Sequence, residues 1–208
     1  MSHCFSSVRL IPTLLAATVP RMHDDETPAG TYKRRVLRTG IGVSILLLLL
    51  IGGVFAWNQV FLQGPMRDVI TGDSRNAGIE VQVHLGHYLN PDVLVYDLRE
   101  VGPDKAPIDV FRVFLQYADA MQGERFETVE LAFRGETKFV LDGAGFQEIG
   151  RDFADENPMY TIRTFPERLR TPDGRAAFQR WEGGALGVLS QQMDDFSEFQ
   201  DRWYIGES

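Results

Sequence analysis

The sequence predicts an α+β protein, in which one N-terminal transmembrane helix precedes a small domain with a mainly antiparallel sheet packed by two or three helices. Two observations lead to this fold class. Residues 39–57 form an apolar run without a charge, and residues 79–208 alternate between segments with the period-two pattern of strands and segments with helical spacing. The order of these segments, ββαββα(β)α, is typical of a small α+β domain.

The apolar run has the length and composition of a membrane helix. Its nineteen residues would form a helix about 28 Å long, close to the roughly 30 Å of the hydrocarbon core of a bilayer. Each large apolar side chain near the centre favours insertion by about 0.3–0.6 kcal/mol. The predicted membrane-anchor residues are Ile41, Val43, Ile45, Leu46, Leu47, Leu48, Leu49, Leu50, Ile51, Val54, Phe55 and Trp57.

Basic residues on one side of the helix predict its orientation. Residues 33–38 contain Lys33, Arg34, Arg35 and Arg38, and no comparable cluster follows the helix. The positive-inside rule therefore predicts a single-pass protein of the cell inner membrane, with a cytoplasmic N-terminus and a periplasmic or extracellular domain. The indole of Trp57 is suited to the interface between this membrane and water on its outward-facing side.

Two processing alternatives stay open. Val54 and Ala56 place small residues before Trp57, as in a cleaved signal peptide, although an apolar run that continues through Leu62 favours a retained anchor. Residues 1–21 are unlike an ordinary cytoplasmic tail, so we hypothesise that Met22 is the natural start. The intact mass of the mature protein tests both points, and a mass that includes residues 1–21 would refute the second.

Charge separates the chain into unlike parts. We expect a basic cytoplasmic tail at 1–38, the helix and its exit at 39–62, a polar linker at 63–78 and the exported domain at 79–208. The tail has a net charge of +3 within a total of −8, so the rest of the chain carries −11. So acidic a domain argues against nucleic acid or anionic lipid as its main partner, since both would repel it. The only cysteine of the chain is Cys4, in the tail, so the exported domain cannot form an internal disulfide and must rely on core packing for its stability.

Periodicity and turn residues place the elements of the domain. Alternating apolar residues predict two hairpins, and apolar residues three and four apart predict helices. Pro107 suits the first turn of one of these helices. The predicted strands are 79–89, 93–98, 128–133, 137–141 and 159–165, and the predicted helices are 107–122, a short one after Gly143, and 184–204.

No catalytic, cofactor or metal site is predicted. His84 and His87 are three apart on a predicted strand, so their side chains point to opposite faces and cannot chelate one ion together. The glycines of Gly143-Ala144-Gly145 predict a tight turn, because the third glycine of a dinucleotide fingerprint falls on Glu148. No nucleophile motif is found, so the question of enzyme activity stays open, leaning towards none.

An aromatic and arginine-rich stretch predicts a protein interface instead. Tyr160, Arg163, Phe165 and Trp181 are of the residue types that carry binding energy between proteins. The main alternative is an edge strand and loop that cover the core. Separately, the small residues Gly52 and Ala56, four apart, would allow close helix pairing, so a homo-oligomer stays open.

These features predict a membrane-tethered protein whose exported domain binds or scaffolds another envelope protein. The partners expected are the lipid bilayer, through residues 39–57, and that protein. One alternative is an envelope hydrolase that uses carboxylates such as Asp97, with or without His84 and His87. The other is a domain that senses a ligand and works through a partner.

Overall fold

The computed structural model describes residues 29–153, 158–182 and 185–207. The chain divides into two compact units, Met1–Ile45 and Leu46–Ser208. In the first unit the described residues, from Ala29 onwards, are helical. The strands and the other helices that the structure describes belong to the second unit.

The described elements are six α-helices and four strands, with short 3-10 turns at Ser74–Asn76, Pro166–Arg168 and Ile205–Glu207. In chain order they are α1 (Ala29–Phe61), α2 (Gln63–Gly72), β1 (Ile79–Gly86), β2 (Asn90–Val101), α3 (Pro107–Ala120), β3 (Thr128–Phe133), β4 (Glu136–Asp142), α4 (Gly143–Asp152), α5 (Pro158–Thr164) and α6 (Ala185–Trp203).

The four strands form one mixed sheet in the order β1-β2-β3-β4. Both hairpins, β1–β2 and β3–β4, are antiparallel as predicted. The central pair is parallel, running from Val93 beside Thr128 to Leu98 beside Phe133. Helix α3 is the crossover that a parallel pair requires, because a tight turn can join only antiparallel strands. The α+β class is thus confirmed, whereas the sheet is mixed.

Aromatic rings fill the core between the sheet and the helices. Trp203 of α6 is fully buried, and its indole N–H donates to the carbonyl of Ala132 in β3 over 3.1 Å. Its ring stacks on Phe199, with 5.3 Å between the centroids. The largest fully buried side chains include Trp203, Tyr96, Tyr117, Phe111, Phe114, Phe139, Phe146, Phe165 and Phe199.

The predicted glycine turn begins α4. The Asp142 carboxylate accepts from the Gly145 N–H over 2.8 Å and caps the helix. A Cβ on Gly143 would overlap the backbone of Phe126, so only glycine fits there. Gly143 therefore serves a close backbone approach.

Two segments differ from the predicted secondary structure. The predicted linker 63–78 contains α2, which buries Met66 in the core. Pro65 lies in the first turn of α2, where a missing N–H is tolerated. The predicted strand 159–165 is instead the helix α5, followed by Phe165, and it buries Ile162 and Phe165 on one side. In both segments, apolar residues three apart pack as a helix face.

Two side-chain amides join the helices to the free edge of β1. Asn58 Oδ1 accepts from the Leu85 N–H over 2.7 Å, and Asn58 Nδ2 donates to the Tyr88 carbonyl over 3.2 Å. Gln63 Oε1 accepts from the Val83 N–H over 2.7 Å, and its Nε2 donates to the Val81 carbonyl over 2.9 Å. We call Asn58 and Gln63 the amide clamp. It satisfies backbone groups that an edge strand would otherwise leave open.

Candidate protein-binding groove

An apolar groove of about 410 Å³ lies between α3, α5 and α6. We call it the α3–α5–α6 groove. Its walls are made of aliphatic, methionine and aromatic side chains, with two polar ones. The lining residues are Ala106, Pro107, Ile108, Met159, Ile162, Met193, Phe196, Ser197, Gln200 and Ile205.

The first turn of α3 forms one wall. The Asp109 carboxylate accepts from the Ala106 N–H over 3.0 Å and from Arg112 Nη1 over 2.6 Å. Both hydrogen bonds hold the pKa of the Asp109 carboxyl below its usual range, and the one from Arg112 has the larger effect on this pKa. Fixed in this way, the turn presents Ile108 with 44% of its surface exposed.

Helix α6 forms the opposite wall, and its orientation follows from its buried side chains. Phe199 and Trp203 point into the core, which turns Met193, Phe196 and Gln200 towards the groove. Tyr204, at the end of the helix, is also buried. Burial, together with the nearby charge of Asp109, raises the pKa of its hydroxyl to about 12.

Gln200 is the one strongly polar side chain in the wall. It is 2% exposed, and among the described residues neither its Oε1 nor its Nε2 has a hydrogen-bond partner. A primary amide has two N–H donors and two acceptor lone pairs. Leaving such a group buried without partners costs roughly 1–3 kcal/mol. The wall of the groove thus contains a buried amide that has no partner within the described residues.

The structure places the predicted interface residues in different surroundings. Tyr160 and Arg163 lie on α5, where the Arg163 guanidinium sits 5.2 Å from the centre of the Tyr160 ring. Phe165 is 1% exposed and belongs to the core, which leaves it no surface for a partner. Trp181 is held on α6 by a 2.6 Å hydrogen bond from its indole N–H to Asp195. None of these four residues lines the groove, although α5 contributes Met159 and Ile162 to it.

Two of the three residues named for a hydrolase, Asp97 and His84, have structural partners. Asp97 is buried, and its carboxylate accepts from Arg99 over 2.6 Å and from the Gly135 N–H over 2.9 Å, which fixes the β3–β4 turn. The His84 ring lies over Tyr88 with centroids 4.3 Å apart. His87 lies in the β1–β2 turn with φ 48°. Across the described parts of the chain, no cluster of three His, Cys, Asp or Glu side chains is placed to hold a metal ion.

The apolar helix stays exposed where the structure describes it. Residues 46–51 are each more than half exposed. The segment Val43–Gly72 has a window of mean hydropathy 2.2 and is long enough to cross a membrane. Length and apolarity alone support a span, and a signal sequence meets the same criterion.

Comparisons with protein families, with curated proteins and with solved structures give no match for this chain. The geometry of the groove is therefore the basis for a functional proposal.

Proposed function

We propose that the chain is a single-pass membrane protein of the cell envelope, and that its exported domain binds an apolar segment of another envelope protein in the α3–α5–α6 groove. The observation that carries the proposal is the buried, unpartnered amide of Gln200 in an otherwise apolar wall. An amide in such a place suits a ligand that brings its own N–H and C=O groups together with apolar side chains. A polypeptide segment has both.

The rim of the groove supports a protein partner. Ile108, Met159 and Ile205 are each between 40% and 50% exposed, so a bound segment would cover apolar surface that otherwise meets water. Met159 and Met193 add flexible thioether side chains, which adapt to ligands of different shape. The net charge of −11 beyond the helix favours a partner with basic residues beside its apolar segment.

Site-specific photo-crosslinking tests the proposal directly. With p-benzoylphenylalanine in place of Ile108, we expect one discrete adduct when native membranes that carry the full chain are irradiated. The matched control places the same probe at Ala120, which is exposed on the same helix about 18 Å away at 1.5 Å per residue. Equal crosslinking from both positions, or none from Ile108, would contradict the proposal.

Gln200→Leu separates binding from folding. Removal of a buried amide without partners is expected to raise the free energy of unfolding of the unbound protein by about 1–2 kcal/mol. The same change should abolish the Ile108 adduct, because the segment loses its polar contact. Gln191→Leu, on the exposed side of α6, should change neither stability nor crosslinking. Thermal unfolding of the full chain in detergent gives the stability. If the Gln200→Leu variant still crosslinks, the amide does not contact the bound segment.

A further inference from the structure

The β1–β2 hairpin ends in a turn that lies against α1. Residues 87–89 form this turn, which we call the hairpin tip. Tyr88 and Leu89 line two apolar grooves, one on each side, whose opposite walls come from α1. Leu50 and Val54 line both grooves, so the hairpin tip follows a stripe along the helix. The amide clamp keeps it there, since Asn58 Nδ2 bonds the Tyr88 carbonyl.

This placement has a consequence for depth in a membrane. Leu50 precedes Trp57 by seven residues, or about 10 Å of helix. The membrane segment cannot shift towards the N-terminus, because Arg38 ends the uncharged run and about 20 residues are needed to span the bilayer. If the helix spans the bilayer from Thr39 onwards, Leu50 and Val54 lie deeper in the bilayer than Trp57. The hairpin tip, which packs on these two residues, then lies at a similar depth.

We propose that the hairpin tip enters the outer leaflet beside the anchor and that acyl chains of membrane lipids occupy the two grooves. This inference rests on the membrane anchor of the proposed function. The hairpin tip would then be a second, shallow membrane contact that fixes the orientation of the domain over the bilayer surface.

The chemistry of the hairpin tip suits this environment. Leu89 is 70% exposed and Tyr88 41%, so apolar and interfacial side chains face outwards. The Tyr88 N–H donates to the Leu85 carbonyl over 2.7 Å, and the Leu89 N–H donates to the Gly86 carbonyl over 3.1 Å. These two N–H groups, and the Tyr88 carbonyl that accepts from Asn58, are satisfied within the protein, which lowers the cost of moving the turn towards lipid.

The grooves are sized and lined for hydrocarbon. One has a volume of about 420 Å³ and the other about 370 Å³. Most of the lining is aliphatic and continuous with the exposed anchor. The side chains that line one or both grooves are Leu49, Leu50, Ile51, Val54, Phe55, Trp57, Leu85 and Leu89, together with Asn58, His87 and Tyr88.

Depth-dependent quenching of a fluorescent label tests the proposal. The full chain, with Cys4→Ser to remove its only cysteine, receives Leu89→Cys and an NBD label, and is reconstituted into vesicles of phosphatidylcholine and phosphatidylglycerol. Lipids with a nitroxide near the headgroup end of the acyl chain should quench this label several-fold more than the same label at Glu136→Cys. Glu136 begins β4 at the far end of the sheet, about 26 Å along β2 from the hairpin tip.

A third label, at Leu48→Cys, reports on the anchor itself. Quenching at both Leu48 and Leu89, with none at Glu136, is the expected result. Quenching at Leu48 alone overturns the hairpin inference and leaves the anchor in place. No quenching at any site overturns the anchor of the proposed function as well. A disulfide-linked dimer of the unlabelled Leu89→Cys protein, together with protection of Leu89 from quenching, would assign the grooves to a second copy of the chain and overturn the lipid assignment.

Discussion

Trp203→Ala is expected to lower the free energy of unfolding by about 3–5 kcal/mol, the range for loss of a fully buried large aromatic side chain. Trp203 fixes α6 to the sheet through its hydrogen bond to Ala132 and its stacking on Phe199. Its ring also lies 6.0 Å from that of Tyr96. Because α6 supplies one wall of the α3–α5–α6 groove, the same change should weaken crosslinking from position 108.

Trp181→Ala is the matched control, because it removes the same side chain from a half-buried position. The Trp181→Ala change removes a hydrogen bond to Asp195 but leaves no large cavity in the core. We expect a smaller loss, about 1–2 kcal/mol. Thermal unfolding of the full chain in detergent, followed by circular dichroism, compares the two variants. Equal losses would show that Trp203 does not have the central packing role assigned to it.

Removal of the amide clamp should have the second-largest effect. In the double variant Asn58→Leu and Gln63→Leu, two N–H and two C=O groups along β1 and the hairpin tip lose their side-chain partners. Since water reaches an edge strand in part, we expect a loss of roughly 2–4 kcal/mol in total. Hydrogen exchange should accelerate at the amides of Val83 and Leu85, which the clamp protects.

Gln59→Leu provides the control for this double variant. Gln59 is an amide on α1, as Asn58 is, but within the described residues its side chain accepts only from the exposed Arg67, over 2.9 Å. Such a surface hydrogen bond contributes little, so stability and exchange should stay near those of the unchanged protein. If Val83 and Leu85 exchange equally fast in all three proteins, the amides do not hold the strand edge.

Local sequence patterns predicted the elements whose contacts are local. Both hairpins follow from alternation of apolar residues, and α3 follows from Pro107 and the helical spacing of Phe111, Phe114 and Ala118. The parallel pairing of β2 with β3 could not be predicted, because it joins strands thirty or more residues apart and leaves no mark in either strand. Hairpin patterns alone therefore favoured an antiparallel sheet.

Short helices were harder to predict than long ones. Helix α2 has only ten residues, with polar ones between Met66 and Ile70, so its composition resembles that of a linker. Helix α5 contains β-branched residues at Thr161 and Ile162, which favour a strand in isolation. Packing of their apolar faces on the core outweighs these local preferences.

The groove itself depends on tertiary structure. Ile108 belongs to the apolar stripe predicted for α3, but its exposure follows from the position of the first turn beside α5 and α6. Helical spacing already separates Gln200 from Gln191, because Gln200 lies four residues after Phe196 and three before Trp203 on the apolar stripe of α6. That its amide stays without a partner follows only from the fold. Phe165 shows the converse, since an aromatic residue in an arginine-rich stretch belongs to the core.

Protease treatment of spheroplasts tests both the proposed membrane anchor and its orientation. The full chain carries a C-terminal tag, and its gel mobility is measured before and after external protease is added. We expect a full-length, membrane-bound protein whose tag is removed by the protease. A shorter soluble species would show cleavage near Ala56, and a protected tag in intact spheroplasts would reverse the topology. Either result would contradict an outward-facing anchored domain.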